Sequence, residues 1–376
     1  MAVGFPTKAN WAAGDVLTAS AQDDLAATVN LLSNASAASG SQLISNVAGT
    51  SFAYQATPSA SNPVLNSAFT VWQRGTSSGT TGVYGADRWY QGRGTATATW
   101  SQVTTGLPTG FQYGMKVQRT AGQTNTDSIY VMQPMETVNS IPFAGKTITF
   151  SFYAKAGANL SSTSSTMPIR LFTGTGTDQS AASAIGGWTG YAEPIASSPT
   201  LTTSWQRFSY SATLGSTVSQ IGFLFYLFPV GTAGADDSFS VTGVQIDIGS
   251  VALPFRTYAA TYQNELAACQ RYYWRSTATG SYSWFGQGFG ISASNILYPI
   301  TNPVAMRTAA ASIETSNVVS YDGGVTGAGT ITIQANECST LITRISYAGS
   351  GFTAYRPYGL LANNNTAAYV GASAEL

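Results

Sequence analysis

Apolar and polar side chains alternate through the middle of the chain, between about residues 66 and 258. A period of two is typical of β-strands that bury one face, and clusters of Gly, Pro, Asn and Ser separate the alternating segments. Because no helical pattern lies between them, we predict one antiparallel β-sandwich over 66–258, best matched by a jelly roll. The clearest strand segments are Thr147–Tyr153, Ile169–Phe172, Trp205–Tyr210, Ile221–Phe228 and Phe239–Ile248.

A short helix and a second group of strands are predicted after this sandwich. Residues 259–275 favour a connecting helix, since Leu266 and Gln270 share one helical face and Cys269 lies beside it. Turn-forming residues such as Asp322-Gly-Gly324 separate the strands that follow. These strands predict a smaller C-terminal β domain over 276–376, so that the chain is mainly β. They are Tyr282–Phe289, Ala311–Ile313, Ile331–Ile333, Leu341–Tyr347 and Phe352–Tyr358.

Residues 1–65 follow a different pattern, which predicts a short helix and a linker. Ser20-Ala-Gln-Asp23 resembles a capping box, and Leu25, Val29 and Leu32 then fall on one helical face. One interpretation is a surface helix followed by a Ser/Ala/Gly/Asn linker. The other is a self-associating stalk, whose apolar stripe continues to Leu43 and is too thin to be stable alone. In the stalk, Leu25, Val29 and Leu32 would be the oligomerisation contacts.

The first residues of the chain contain large apolar groups outside any evident core. Phe5, Pro6 and Trp11 would be exposed on an isolated chain, which predicts that they dock onto another protein. The start lacks the basic and apolar regions of a signal peptide. The longest apolar run, Ile221–Val230, is about half a membrane span, so membrane insertion is not expected.

Composition narrows the classes of partner. The 376 residues include 16 basic and 16 acidic side chains, and only 9% are charged, against roughly 25% in ordinary domains. A net charge of zero gives no basic footprint for nucleic acid or an anionic membrane. The chain still has ample core material, because 44% of its residues are apolar and 12% aromatic. Its ligands are therefore expected to be polar and uncharged.

Candidate catalytic and metal-binding chemistry is sparse. The chain has no histidine, which excludes every mechanism or metal site that needs an imidazole. Cys269 and Cys338 cannot form a four-thiolate zinc site, although one bridge between them is possible. The acidic pair Asp236-Asp237 is explained by turn chemistry, and no calcium-loop pattern is present. We therefore expect no catalytic residues, no metal and no cofactor. Four aspartates could in principle be calcium ligands, but we interpret them as isolated acidic residues in loops. They are Asp87, Asp127, Asp178 and Asp247.

Aromatic residues are the most informative candidates for a binding function. Those that alternate within strands are interpreted as core. Two C-terminal groups differ because Gly, Ser and Gln surround them, as on a half-exposed surface. Such faces stack on sugar rings or peptide groups, and they also occur between subunits. The candidate ligand-binding residues are Trp274, Tyr282, Trp284, Phe285, Tyr355 and Tyr358.

Several strings resemble segments of bacteriophage tail fibres and related virion proteins. Asn66–Gly75 and Tyr84–Trp89 look like the opening of one domain of that family, and Val244–Phe255 resembles its last strand. Glu265–Tyr273 is similar to the segment that usually follows, and Pro303–Arg307 to the entry of a C-terminal tip domain. The start, Phe5–Thr18, resembles a virion-attachment sequence.

This resemblance implies a non-enzymatic virion component, made in the host cytoplasm. The family's central domain is similar to jelly-roll carbohydrate-binding modules, and its fibres commonly form homotrimers. Residues 1–65 would then attach to tail, adaptor or baseplate proteins, and 276–376 would face a glycan or other receptor on the host cell. The alternative is a head or neck fibre, or a capsid decoration protein, with a purely structural role. A tailspike-type glycan depolymerase would instead require two carboxylates in a groove.

The resemblance also bears on the strings Trp72-Gln-Arg74 and Asp87-Arg88-Trp89. We interpret them as core packing with a structural Asp–Arg pair rather than as a binding site.

Overall fold

The computed structural model describes residues 62–326 and 329–376, and the backbone of one strand pair nearer the N-terminus. In that pair, β1 (Ser41–Ser45) runs antiparallel to β2 (Phe52–Ala56). Leu43 lies in β1, so a helical stripe that continues to Leu43 is wrong. The remaining N-terminal predictions lie outside the described residues. They concern the helix contacts Leu25, Val29 and Leu32 and the anchors Phe5, Pro6 and Trp11.

Two six-stranded antiparallel sheets form the β-sandwich. In the first sandwich sheet the strand order is β11-β10-β13-β8-β5-β4, and in the second it is β12-β9-β14-β7-β6-β3. The strands are β3 (Ser77–Ser78), β4 (Val83–Tyr84), β5 (Tyr90–Arg93), β6 (Ala98–Val103), β7 (Gly114–Arg119), β8 (Ile129–Pro134), β9 (Thr147–Ala156), β10 (Ile169–Gly174), β11 (Ala192–Ser197), β12 (Gln206–Thr213), β13 (Gln220–Leu227) and β14 (Ser238–Ile248). Two short helices interrupt them, α1 (Thr137–Ser140) and α2 (Ala184–Gly187). All five strand segments predicted here are confirmed to within three residues.

Aromatic side chains fill the space between the two sandwich sheets. The rings of Phe150 on β9 and Phe223 on β13 stack with their centroids 5.2 Å apart. Phe152 meets Phe225 edge to face at 5.0 Å. Period-two alternation explains this arrangement, because every second residue of each strand points into the shared core.

A helix and two more antiparallel sheets follow. A three-stranded sheet has the order β15-β24-β18, and a seven-stranded sheet has the order β20-β19-β23-β16-β17-β22-β21. The elements are α3 (Tyr262–Gln270), β15 (Tyr273–Thr277), β16 (Trp284–Ser292), β17 (Asn295–Thr301), β18 (Ser312–Ser316), β19 (Val318–Tyr321), β20 (Val325–Thr326), β21 (Thr330–Ile333), β22 (Ile342–Ala348), β23 (Pro357–Ala362) and β24 (Tyr369–Ser373). The mainly β architecture is confirmed.

Two C-terminal boundaries differ most from the sequence prediction. The helix ends at Gln270, and Tyr273 already begins a strand. The strand predicted at Phe352 begins only at Pro357. Tyr355 has a left-handed backbone (φ 64°), which breaks the extended conformation, and Phe352 is a buried loop side chain.

Helix α3 is held at its N-terminus by side chains. The Thr261 hydroxyl accepts a hydrogen bond from the Asn264 N–H at 3.3 Å, as an N-cap does. Glu265 in the first turn is buried, and its carboxylate accepts from the backbone N–H groups of Asn66 (2.6 Å) and Ala259 (3.1 Å). The helix is therefore fixed to the first residues of the sandwich.

Both cysteine thiols are free: Cys269 is buried in α3 and Cys338 is half-buried. The bridge that the sequence left open between them is not formed. Within the described ranges no helix is long and apolar enough to span a membrane.

Candidate functional site

The outer face of the seven-stranded sheet carries an exposed row of uncharged side chains. One face of this sheet packs into the C-terminal core through residues such as Tyr298 and Leu360. On the other face, Trp284 and Phe289 project from β16 with 55% and 43% of their surfaces exposed. We call Trp284, Gln287, Phe289, Pro299 and Tyr321 the C-terminal aromatic face, because strand register places them on the same side.

Trp284 is positioned by the strand beside it. An added Cβ on Gly359 of β23 would lie 2.2 Å from the indole ring, so only glycine lets the ring lie against this strand. Tyr321 on β19 meets the indole edge to face, with centroids 6.3 Å apart and planes at 82°. The indole therefore has a fixed orientation with one surface open to solvent, which suits stacking against a flat apolar ligand face.

A Gly359→Ala substitution is expected to displace the Trp284 indole. The new methyl group would occupy the space of the ring, while the strand itself tolerates alanine because Gly359 has no left-handed φ. We predict a shift in tryptophan emission and increased quenching by acrylamide, with little loss of stability. Gly324→Ala is the matched control, because an added Cβ there meets no atom within 4 Å. Equal emission spectra for the two variants would contradict the proposed packing.

The structure places three predicted ligand residues on the surface around β16. Trp284 begins the strand, and Tyr282, which is 58% exposed, lies in the turn just before it. Tyr355 is 91% exposed, and its backbone N–H donates to Gly290 near the other end of the strand at 2.8 Å. By the rise of a strand the two ends lie roughly 20 Å apart, a span that an extended chain of several sugar units would cover.

Three other candidates do not lie on this surface. Trp274 is 3% exposed, and its indole N–H donates to the Asn302 side chain at 3.0 Å. Tyr358 is 2% exposed, and its hydroxyl accepts from the Thr353 N–H at 2.8 Å. The expectation of half-exposed side chains is wrong for both. Phe285 faces inward because a register shift follows Trp284, and with Trp274 it lines a cavity of about 340 Å³.

A second aromatic surface includes Tyr226 and Phe228, which the sequence prediction placed in a strand and assigned to the core. Tyr130, Tyr226 and Phe228 lie on the outer face of the first sandwich sheet. Phe228 is 46% exposed and stacks on Tyr226 at 4.9 Å. The available clue was that Ile221–Phe228 is apolar at both odd and even positions. Apolar side chains therefore had to lie on the outer face of that strand as well as in the core.

Four of the strings that resemble phage fibres meet at one buried place, where the sandwich contacts the C-terminal sheets: Asn66–Gly75, Tyr84–Trp89, Glu265–Tyr273 and Pro303–Arg307. We call this the junction. Arg88 is 1% exposed, and its guanidinium pairs with Glu375, donates to the Pro134 carbonyl at 2.9 Å and lies 3.7 Å from the Tyr272 ring centroid. The expected pairing of an aspartate with an arginine within the strings is therefore wrong, since the carboxylate partner comes from the last residues of the chain.

Gln73 connects Asp87 to strand β15. Its backbone N–H and its side-chain amide both donate to the Asp87 carboxylate, the former at 2.9 Å. The same amide donates to the Tyr273 carbonyl at 2.7 Å and accepts from the Arg275 N–H at 3.3 Å. These contacts join the sandwich to the C-terminal sheets.

Burial raises the pKa of Asp87 from 3.8 to about 6, although Arg74 and Gln73 lower it in part. Because the folded-state pKa lies above the unfolded value, the folded protein gains the proton first. We predict that this group increases the free energy of unfolding by up to about 3 kcal/mol as pH falls from above 6 to about 4. Urea unfolding across this range checks it against Asp87→Asn, which should lack that contribution. Parallel profiles for the two proteins would contradict the prediction.

No protein-family model and no curated protein match the chain. Among solved structures, it is similar to the enzymatically active domain of tailspike protein 4 from bacteriophage CBA120, with 12% identity and a TM-score of 0.33. The match covers 50% of this chain and only about a fifth of that one (21%). The CBM22-1 xylan-binding domain of Paenibacillus barcinonensis Xyn10C is 13% identical over 51% of this chain and 96% of the domain, with a TM-score of 0.29.

A Stig cyclase, Fisc from Fischerella sp. TAU, is 9% identical over 51% of this chain and 98% of that one, with a TM-score of 0.34. Carbohydrate-binding, tailspike and cyclase domains thus share a coarse likeness to the chain. These low values describe a β arrangement and carry no argument about activity.

Proposed function

We propose that the chain is a non-enzymatic fibre protein of a phage virion that attaches to host cells by binding neutral surface glycans. The C-terminal aromatic face is the binding surface. The observation that carries the proposal is the fixed, half-exposed indole of Trp284, with Phe289 exposed on the same strand. Sugar rings have apolar C–H faces that pack on such rings, while their hydroxyls bond polar neighbours such as Gln287.

The charge of the surface supports a neutral ligand. None of the five residues that define the C-terminal aromatic face is an acidic or basic residue. Arg356, which is close in sequence to the exposed Tyr355, is paired with Asp322 at 3.4 Å. Arg344, which the register places beside Pro299 on the same face, is likewise paired with Glu337 at 2.8 Å, so a sialylated or phosphorylated glycan would have to compete with an existing ion pair.

Weak contacts suffice for attachment if several copies act together. A single shallow site of this kind is expected to bind with a Kd on the order of millimolar, or about −4 kcal/mol. In a homotrimer, the tethering of three such sites raises the overall affinity by about 10²–10⁴ without any new contact. Residues 1–65 would then attach the fibre to the virion, in line with the resemblance of Phe5–Thr18 to an attachment sequence.

A glycan array probed with the full-length chain tests the proposal. The protein is displayed at high density on a fluorescent bead, so that weak binding becomes measurable. We expect neutral glycans to be retained by the wild-type chain and lost when Phe289→Ala is displayed at the same density. Phe228→Ala is the matched control, because this phenylalanine is exposed to nearly the same extent (46% against 43%) on a different sheet.

Two outcomes would overturn the proposal. One is the absence of any bound glycan at high density, and the other is equal loss in the Phe289→Ala and Phe228→Ala variants. A second assay tests whether the chain is an enzyme. The polysaccharides that it binds are incubated with it, and newly formed reducing ends are measured. Turnover there would favour a depolymerase.

A further inference from the structure

A polar groove lies beside the junction, away from the C-terminal aromatic face. Its volume is about 440 Å³, which is within the range of small-molecule sites. Three edge strands border it, namely β3 and β4 of the sandwich and β18 of the three-stranded sheet. We call it the junction groove. Its lining includes Arg74, Ser78, Tyr84, Ser312, Glu314 and Glu375.

The charged groups of the groove balance one another. Arg74 lies 3.3 Å from Glu314 and 3.4 Å from Glu375, and Arg275 lies 2.8 Å from Glu314. Arg88 also pairs with Glu375. An ionic ligand would have to disrupt these pairs, whereas hydroxyl groups can add hydrogen bonds to the lone pairs and N–H groups that remain.

An unpaired amide oxygen lies under the floor of the groove. Gln91 is fully buried, and its side-chain N–H₂ donates to the Ser78 hydroxyl at 2.9 Å and to the Thr80 carbonyl at 2.6 Å. Its Oε1 atom has no hydrogen-bond partner among the described residues. This oxygen lies against Gly85, a lining residue, where an added Cβ would be only 2.2 Å away. Because this oxygen is shielded from solvent, the Gln91 side chain acts on the groove through the residue that its N–H₂ group holds at the lining, Ser78.

The geometry points to a second carbohydrate site, in which the junction groove holds one neutral hexose or N-acetylhexosamine unit. Glu314 and Arg74 contact its hydroxyls, and the buried Gln91 amide holds the lining residue Ser78 in place. The choice of sugar as ligand class rests on the proposed glycan binding. The location of the site does not depend on that proposal, since the groove and the aromatic face are built from different strands.

Glu314 is suited to accept hydrogen bonds rather than to act as a catalytic acid. A glycosidase needs one carboxyl group that stays protonated and acts as the acid. Burial alone would raise the pKa of Glu314, but Arg74, the Tyr273 hydroxyl and Arg275 together hold that pKa below its ordinary value. Glu314 is therefore a carboxylate at neutral pH and can only accept hydrogen bonds.

Saturation-transfer NMR on the full-length chain tests the site. The probes are D-glucose, D-galactose and N-acetyl-D-glucosamine, each at about 10 mM, roughly ten times a millimolar Kd. The wild type is measured for reference, and every other protein carries Trp284→Ala, which removes the main contact of the aromatic face. Ser312→Trp adds a ring at the exposed rim of the groove, and Ser209→Trp, at an exposed serine of edge strand β12, is the matched control.

We expect transfer to at least one sugar in the Trp284→Ala protein, a loss of at least tenfold with Ser312→Trp, and no loss with Ser209→Trp. Absence of transfer in the Trp284→Ala protein, or equal transfer in the two serine variants, would overturn the groove. Transfer seen in the wild type but absent from Trp284→Ala would overturn the groove while supporting the aromatic face. If Ser312→Trp does not fold, Glu314→Gln replaces it, with the same expected loss.

Discussion

Truncation of Arg88 to alanine is expected to lower the free energy of unfolding by about 3–5 kcal/mol. The substitution leaves the Glu375 carboxylate, whose side chain is 7% exposed, without its closest cation, and removes the guanidinium from the Tyr272 ring. Arg74 stays 3.4 Å from this carboxylate but is shared with Glu314, so the buried charge is only partly compensated, which costs more than the pair contributes. Urea unfolding followed by tryptophan fluorescence measures the loss.

The control for this prediction is an exposed ion pair. Arg356 lies 3.4 Å from Asp322, and its side chain is 51% exposed, so Arg356→Ala should cost less than about 1 kcal/mol. Replacing both junction partners, with Arg88→Met and Glu375→Leu, should recover much of the stability lost in Arg88→Ala, because no buried charge then remains on either side. A loss for Arg88→Ala no greater than that for Arg356→Ala would contradict the role assigned to the junction.

Truncation of Trp284 to alanine is expected to weaken the binding of a single glycan site by about 30-fold. Loss of a central aromatic contact typically costs about 2 kcal/mol, which corresponds to that factor. In an assembly that engages several sites at once, the loss multiplies with the number of sites. Surface plasmon resonance measures both affinities on an immobilised glycan that was bound on the array. The chain in solution gives the affinity of single sites, and the chain displayed on beads gives the multivalent affinity.

Measuring the free energy of unfolding separates a loss of glycan binding from misfolding. Trp284 is 55% exposed, so its truncation should change the free energy of unfolding by no more than about 1 kcal/mol. Tyr282→Ala and Tyr355→Ala test how far the bound glycan extends beyond the strand. Unchanged binding by the Trp284→Ala protein would show that glycans bind elsewhere.

Strand positions could be predicted because the alternation of apolar and polar residues within each segment is enough to recognise a strand. Alternation in Thr147–Tyr153 or Phe239–Ile248 reflects one buried face, and no distant residue is needed to interpret it. The prediction was wrong at Phe352, where apolar residues belong to a buried loop. Periodicity cannot distinguish a short strand from a loop that packs its side chains inward.

The candidate site was only partly predictable. Trp284 and Trp274 have similar neighbours in sequence, yet one is exposed and the other is buried. What separates them is the strand that lies beside each, such as the Gly359 strand that supports the Trp284 indole. The pairing of Arg88 with Glu375 joins residues 287 positions apart, and no local pattern marks such a contact.

Hydroxyl-radical footprinting of the assembled full-length protein, with and without a glycan found on the array, tests the central claim most directly. The account predicts that Trp284 and Phe289 are oxidised in the free protein and protected when the glycan is bound, while Phe228 is oxidised equally in both. Absence of oxidation at Trp284 in the free assembly would place the aromatic face between subunits. Oxidation of Trp284 unchanged by the glycan would likewise contradict a binding role for this surface.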